Sequence, residues 1–136
     1  MTTQQLKTAF ETASTTAGAN HFLFGHIWEY NNQVFDDYPA LLVERFVRPI
    51  PDQESRVSVT FNFFVFSKDY LDEEDNTDIP DEVRFDSNDV VAKAFRDAIN
   101  SGDDMTITDM KADDGNWKSI NDDIGTMYTA TLIIYC

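Results

Sequence analysis

Residues able to do chemistry are scattered through this chain, and their spacing is the first thing to weigh. The acidic run Asp72-Glu-Glu-Asp-Asn-Thr-Asp78 places oxygens at alternate positions, as the start of a calcium loop does. The sharp-turn glycine of such a loop is here Thr77, and the bidentate glutamate is Val83, so the run reads as a solvated loop. Asp113-Asp114-Gly115-Asn116 is a turn signal before it is a ligand set. His21 and His26 stand five apart with no cysteine or further histidine nearby, too few ligands for zinc. Phosphate-loop and nucleophile-elbow motifs are missing, as is any nucleophile–base pair. Carboxylates abound, but abundance alone selects none as a general acid. Trp28 and Trp117 lack the basic neighbours of a base-stacking platform. The expectation is a non-enzymatic protein with no cofactor and no metal.

What positions these residues is organised around Arg56–Lys68. Val57, Val59, Phe61, Phe63 and Val65 recur with period two, the pattern of a strand with one buried face. The opposite face begins polar at Ser58, Thr60 and Asn62 and turns apolar at Phe64 and Phe66. A long central strand is expected, its aromatic end lying beneath a helix or a neighbouring subunit.

Residues 2–17 read as an amphipathic helix carrying Leu6, Ala9, Phe10, Ala13 and Ala17, with Thr2 and Gln5 as a capping box and Gly18 as terminator. A first strand is expected over His21–Glu29, a turn at Asn31-Asn32-Gln33, and a second strand over Ala40–Val47 behind Pro39. Arg48–Ser55 then forms an arm between two hairpin strands. Residues 69–89 hold ten acids against the single base Arg84 and predict a solvated loop. Asp86–Asp89 supply the N-cap region of a helix with Val90, Val91, Ala94, Phe95, Ala98 and Ile99 on its apolar stripe, ending at Ser101-Gly102. Met105–Met110 predicts a strand, Ala112–Asp123 a polar loop, and Thr126–Tyr135 a final strand with Tyr128, Ala130, Leu132 and Ile134 on one face. The order α-β-β-β-α-β-β gives an α+β fold: a mainly antiparallel sheet, an N-terminal helix, and one helix packed on the sheet.

The 136 residues fit a single domain, 1–136, with an acidic loop at about 69–86. The net charge of −15 opposes docking on nucleic-acid phosphates and on anionic membranes. No apolar run is long enough to span a bilayer, and Met1-Thr-Thr-Gln-Gln lacks the pattern of a signal peptide. The lone Cys136 allows no intrachain disulfide and suits a reducing cytoplasm.

Several strings together resemble a known family. The helix around Leu6–Ala13, the runs Phe24-Gly-His-Ile-Trp-Glu29 and Asp37-Tyr-Pro-Ala-Leu-Leu-Val43, the Val57–Phe66 strand, the Val90–Ile99 helix and the closing Asp122–Tyr135 follow one another as in the tail-terminator and head–tail ring (tail-completion) proteins of long-tailed bacteriophages. The Tyr-Pro-Ala-Leu-Leu segment, Phe-rich strand and acidic turn are most similar to ring proteins of crAss-like and other Bacteroides phages; the acidic insert is longer than in that family. The resemblance implies a virion structural protein, assembled in the host cytoplasm, that forms a homo-hexameric or dodecameric ring at the head–tail joint or tail end. Its implied partners are other copies of itself and neighbouring tail-tube, portal or ring proteins, with DNA passing through a lumen without specific binding. Phe46, Val47, Arg48, Ile50 and Trp28 are the candidate subunit contacts. Asp72, Glu73, Glu74, Asp75 and Asp78 are candidates for an acidic lumen or a partner loop. The competing readings are an acidic DNA-mimicking inhibitor that binds a basic protein and, with less support, a small-ligand or enzyme domain.

Overall fold

The computed structural model describes residues 1–31, 37–47, 56–68, 71–72, 77–78, 81–117 and 123–135. The fold is α+β. Helix α1 (Thr3–Thr16) leads to strand β1 (His21–Gly25), the short helix α2 (Ile27–Asn31), and strands β2 (Ala40–Glu44) and β3 (Arg56–Lys68). The two-residue strands β4 (Leu71–Asp72) and β5 (Thr77–Asp78) pair with each other. Helix α3 (Asp81–Asn100) and strands β6 (Met105–Trp117) and β7 (Asp123–Tyr135) complete the chain.

The main sheet has the order β1-β2-β3-β7-β6, which puts the Phe-rich strand at its centre as its pattern predicts. Three of the pairings are antiparallel, but β1 runs parallel to β2, so the sheet is mixed. β3 and β7 pair without a register slip from Arg56↔Tyr135 to Lys68↔Asp123.

One face of the sheet carries most of the core. Leu6, Phe10 and Ala13 of α1 and Ala92, Phe95 and Ile99 of α3 close over Phe61, Phe63, Val65, Tyr128, Ala130 and Leu132. Phe10 sits among Phe24, Phe61 and Phe95, with ring centroids 5.5–6.2 Å away. Thr2 and Gln5 form the expected reciprocal cap, and Gly18 takes the left-handed φ of 91° that ends the helix. Among the described residues, the opposite face is dry at one end, where Tyr30, Ala40, Leu42, Phe64 and Phe66 cluster. The cover over the aromatic end of β3 is thus the short α2, whose Tyr30 stacks on Phe66 at 4.2 Å.

Several expectations need correction. The first strand stops at Gly25 and the chain turns into α2 rather than running to Glu29; Asn31, expected in a turn, is the last residue of that helix. Strand β2 ends at Glu44, short of Val47. The polar stretch after Ala112 continues β6 to Trp117, carried through irregular register between Asp113 and Trp117. The acidic segment is not one loop: α3 begins at Asp81, which puts Asp86–Asp89 inside the helix rather than at its cap. The buried stripe of α3 is Arg84, Asn88, Ala92, Phe95 and Ile99, while Val90 lies on the outer side. A helix whose first buried positions are polar shows no apolar period there, which hides its start. The Arg48–Ser55 arm, Asn32 and Gln33 lie outside the described residues.

Candidate functional site: an incomplete strand edge

β3 is thirteen residues long and β2 only five, and the mismatch shapes the surface. β2 pairs with β3 only from Ala40↔Phe66 to Val43↔Phe63. From Glu44 onward the chain leaves β3 and follows β1 instead: the Arg45 N–H donates to the Gly25 carbonyl at 2.9 Å, and the Arg45 guanidinium lies over the Phe24 ring at 4.7 Å. Arg56–Asn62 keeps β7 on one side; among the described residues no strand pairs with its other side. Backbone N–H and C=O groups of a strand alternate between its two neighbours, so this stretch presents a row of groups toward the open side.

The opening is a cleft of about 480 Å³ lined by Glu44, Arg45, Phe46 and Val47 on one wall and Val59, Thr60, Phe61 and Asn62 on the other. Phe46 is half-buried, held edge-on by Phe61 at 5.9 Å and by Phe10 at 6.4 Å, so much of its ring belongs to the chain's own core. Val47 is 91% exposed. β1 and β2 run parallel, so Trp28, just past β1, leaves the sheet at the same end as Val47. Trp28 is 61% exposed and stacks face to face on His26 at 5.9 Å. An exposed tryptophan, an exposed valine and an unpaired strand stretch at one end of a sheet are the features of a protein-contact surface.

Of the residues singled out in the sequence, Trp28, Phe46 and Val47 share this end, while Arg48 and Ile50 lie outside the described residues. Asp72 and Asp78 fall on β4 and β5, in the pairs Asp72↔Thr77 and Leu71↔Asp78; Glu73, Glu74 and Asp75 are outside the described residues. Sequence reasoning missed Val59–Asn62 as site residues. The gap arises where β2 parts from β3 after Val43, which the pattern of neither strand marks.

A second polar cluster sits under the N-terminal half of α3. The Tyr128 hydroxyl donates to Asp89 at 2.6 Å, Asn88 Nδ2 donates to the Thr126 hydroxyl at 3.3 Å, and Thr126 donates to Asp114 at 3.1 Å. Burial, then the hydrogen bond to and negative charge of Asp89, holds the Tyr128 proton well above the usual tyrosine range. Thr126 and Asn88 are fully enclosed, and the cluster fastens the polar half of α3 to the sheet. Among the described residues no group of three His, Cys, Asp or Glu side chains is placed to hold a metal ion, and no helix is long and apolar enough to cross a membrane.

No family model matches the chain, and no curated protein matches its sequence.

Proposed function

We propose that this chain is a structural assembly protein of a bacteriophage virion, closing with further copies of itself into a ring at the head–tail joint or the tail end. The observation that carries this reading is the incomplete edge of β3, beside which Val47 projects, together with the exposed Trp28 on α2. A chain whose carboxylates outnumber its bases 25 to 10 repels its own copies over most of its surface. The stretch Val57–Asn62 carries no charged side chain, so copies can meet along it. The reading also draws on the strings of sequence that resemble ring and tail-terminator proteins, and an acidic lumen would let DNA phosphates pass without adhering. The role is non-catalytic and needs no cofactor.

The test is the mass of the purified protein by light scattering, with negative-stain images of the same sample, at low and high salt. Rings with a central hole are expected, and they should grow more abundant as salt screens the repulsion between acidic subunits. The acidic-mimic alternative has the opposite signature. A monomer that captures a basic nucleic-acid-binding protein stoichiometrically, and releases it as salt rises, would overturn the ring reading.

A further inference from the structure

We infer that Arg56–Asn62 of β3 pairs antiparallel with the same segment of a second copy, across a twofold axis through Val59. The inference rests on the self-association in the proposed function but not on a ring: a twofold contact at this edge joins copies in pairs, and a ring would be built from such pairs through a second contact.

Among the described residues of the main sheet, three strand edges compete for a partner. The outer edge of β1 offers five residues before the chain turns away at Gly25. β6 is long but obstructed. The Asn100 side chain accepts from the Ile107 N–H at 2.7 Å and donates to the Ile107 carbonyl at 3.2 Å, filling the place an incoming strand would take. Farther along, Asp109 sits at φ 54° and the register with β7 breaks twice, devices that spoil an edge for pairing. Asp109, Asp113 and Asp114 add like charge. Among the described residues the Arg56–Asn62 edge has none of these obstacles. It is regular throughout its pairing with β7, and no charged residue stands between Arg56 and Lys68.

The occupant follows from the segment's own symmetry. With Val59 on the axis, Val57 faces Phe61 of the second copy and Val59 faces its counterpart, all on the helix-covered face. Ser58 faces Thr60, and Arg56 faces Asn62, on the opposite face. Apolar meets apolar, hydroxyl meets hydroxyl, and no like charges oppose. The incoming strand fills the cleft between Glu44–Val47 and Val59–Asn62, which brings its Arg56 beside Glu44 and supplies an ion pair. An isologous contact of this kind is self-complementary by construction.

The test uses a Cys136→Ser background, which removes the native thiol, and introduces Val59→Cys or, as control, Asn62→Cys. A short thiol-to-thiol cross-linker should link Val59→Cys into dimers and leave Asn62→Cys monomeric, because position 62 lies opposite position 56. In parallel, Val59→Glu and Val59→Lys should each weaken association about tenfold or more, and a one-to-one mixture should restore it, since residue 59 meets itself. Urea midpoints establish that each variant is folded, and the cysteine pair decides if a charged variant is not. Equal linking at both positions, no rescue by the folded charge mixture, or a wild-type monomer at every concentration overturns the inference. Rings that persist with folded Val59→Glu overturn it and leave the ring reading standing. Dimers without rings, abolished by Val59→Glu, support it and refute the ring.

Discussion

Adding one methyl group at Gly125 should destabilise this fold, although the same change in an open strand would do the reverse. Gly125 lies in ordinary strand backbone opposite Phe66. A Cβ there would stand 2.5 Å from Phe66 Cε1 and 2.6 Å from Cδ1, against the roughly 3.5–4 Å at which carbon atoms attract. The ring cannot easily retreat, because Phe66 is 1% exposed and stacked on Tyr30 at 4.2 Å and on Phe64 at 5.9 Å. Overpacking of this kind costs about 1–3 kcal/mol. The reduced freedom of the unfolded chain returns about 0.4–1 kcal/mol. The net expectation for Gly125→Ala is a loss of about 1–2 kcal/mol, seen in urea titration as a lower midpoint with an unchanged slope. In a Phe66→Ala background the clash is gone, so Gly125→Ala should there be neutral or mildly stabilising, a coupling that a double-mutant cycle reads directly. An unchanged or raised midpoint in the wild-type background, or the same loss in both, would refute the argument.

Tyr128→Phe should lose about 1–2 kcal/mol at neutral pH, measured by urea titration, because the hydrogen bond to Asp89 disappears. The folded state holds the Tyr128 proton above its ordinary value of 10.0, so the unfolded chain ionises first. The stability from this residue is therefore complete below about pH 10 and lost as pH rises beyond it; wild type should fall more than Tyr128→Phe between pH 8 and pH 11, and an equal fall would contradict the assignment. Asn100→Ala strips both partners from Ile107 and should destabilise by about 1–2 kcal/mol while opening the edge of β6. Light scattering should then detect higher aggregates than wild type forms; unchanged scattering would show that the amide does not guard that edge.

How far the fold could be read ahead depended on where burial is apolar. β3 was legible because Val57 to Val65 alternate without interruption, and the switch at Phe64 and Phe66 foretold cover on both faces at one end. The final strand was legible for the same reason at Tyr128, Ala130, Leu132 and Ile134. The first turns of α3 were hidden because their inward residues are Arg84 and Asn88, so an acidic sequence with polar burial imitates a loop. α2 is five residues long, too short for a period to appear, and its largest side chain, Trp28, faces outward. The parallel pairing of β1 with β2 escaped because apolar pattern specifies which face is buried and carries no direction. The candidate site was half visible. Val47 and Trp28 stood out by composition, but the gap beside Val59–Asn62 exists only because β2 departs at Glu44, a fact of pairing that no local pattern encodes.

The unequal cover of the sheet has a consequence for its motions. Around Phe63–Phe66 and Gly125–Tyr128 the strands are flanked by neighbours and dry on both faces. Around Arg56–Thr60, among the described residues, only one face is covered and only one neighbour is paired. Amide hydrogen exchange should therefore be graded along the single strand β3, slow at its aromatic end and fast at its polar end. The end expected to exchange fastest is also the end where the proposed second copy would dock. Docking there would complete the hydrogen bonding of the strand and slow its exchange, so assembly and the final ordering of the sheet become one equilibrium, adjustable by concentration.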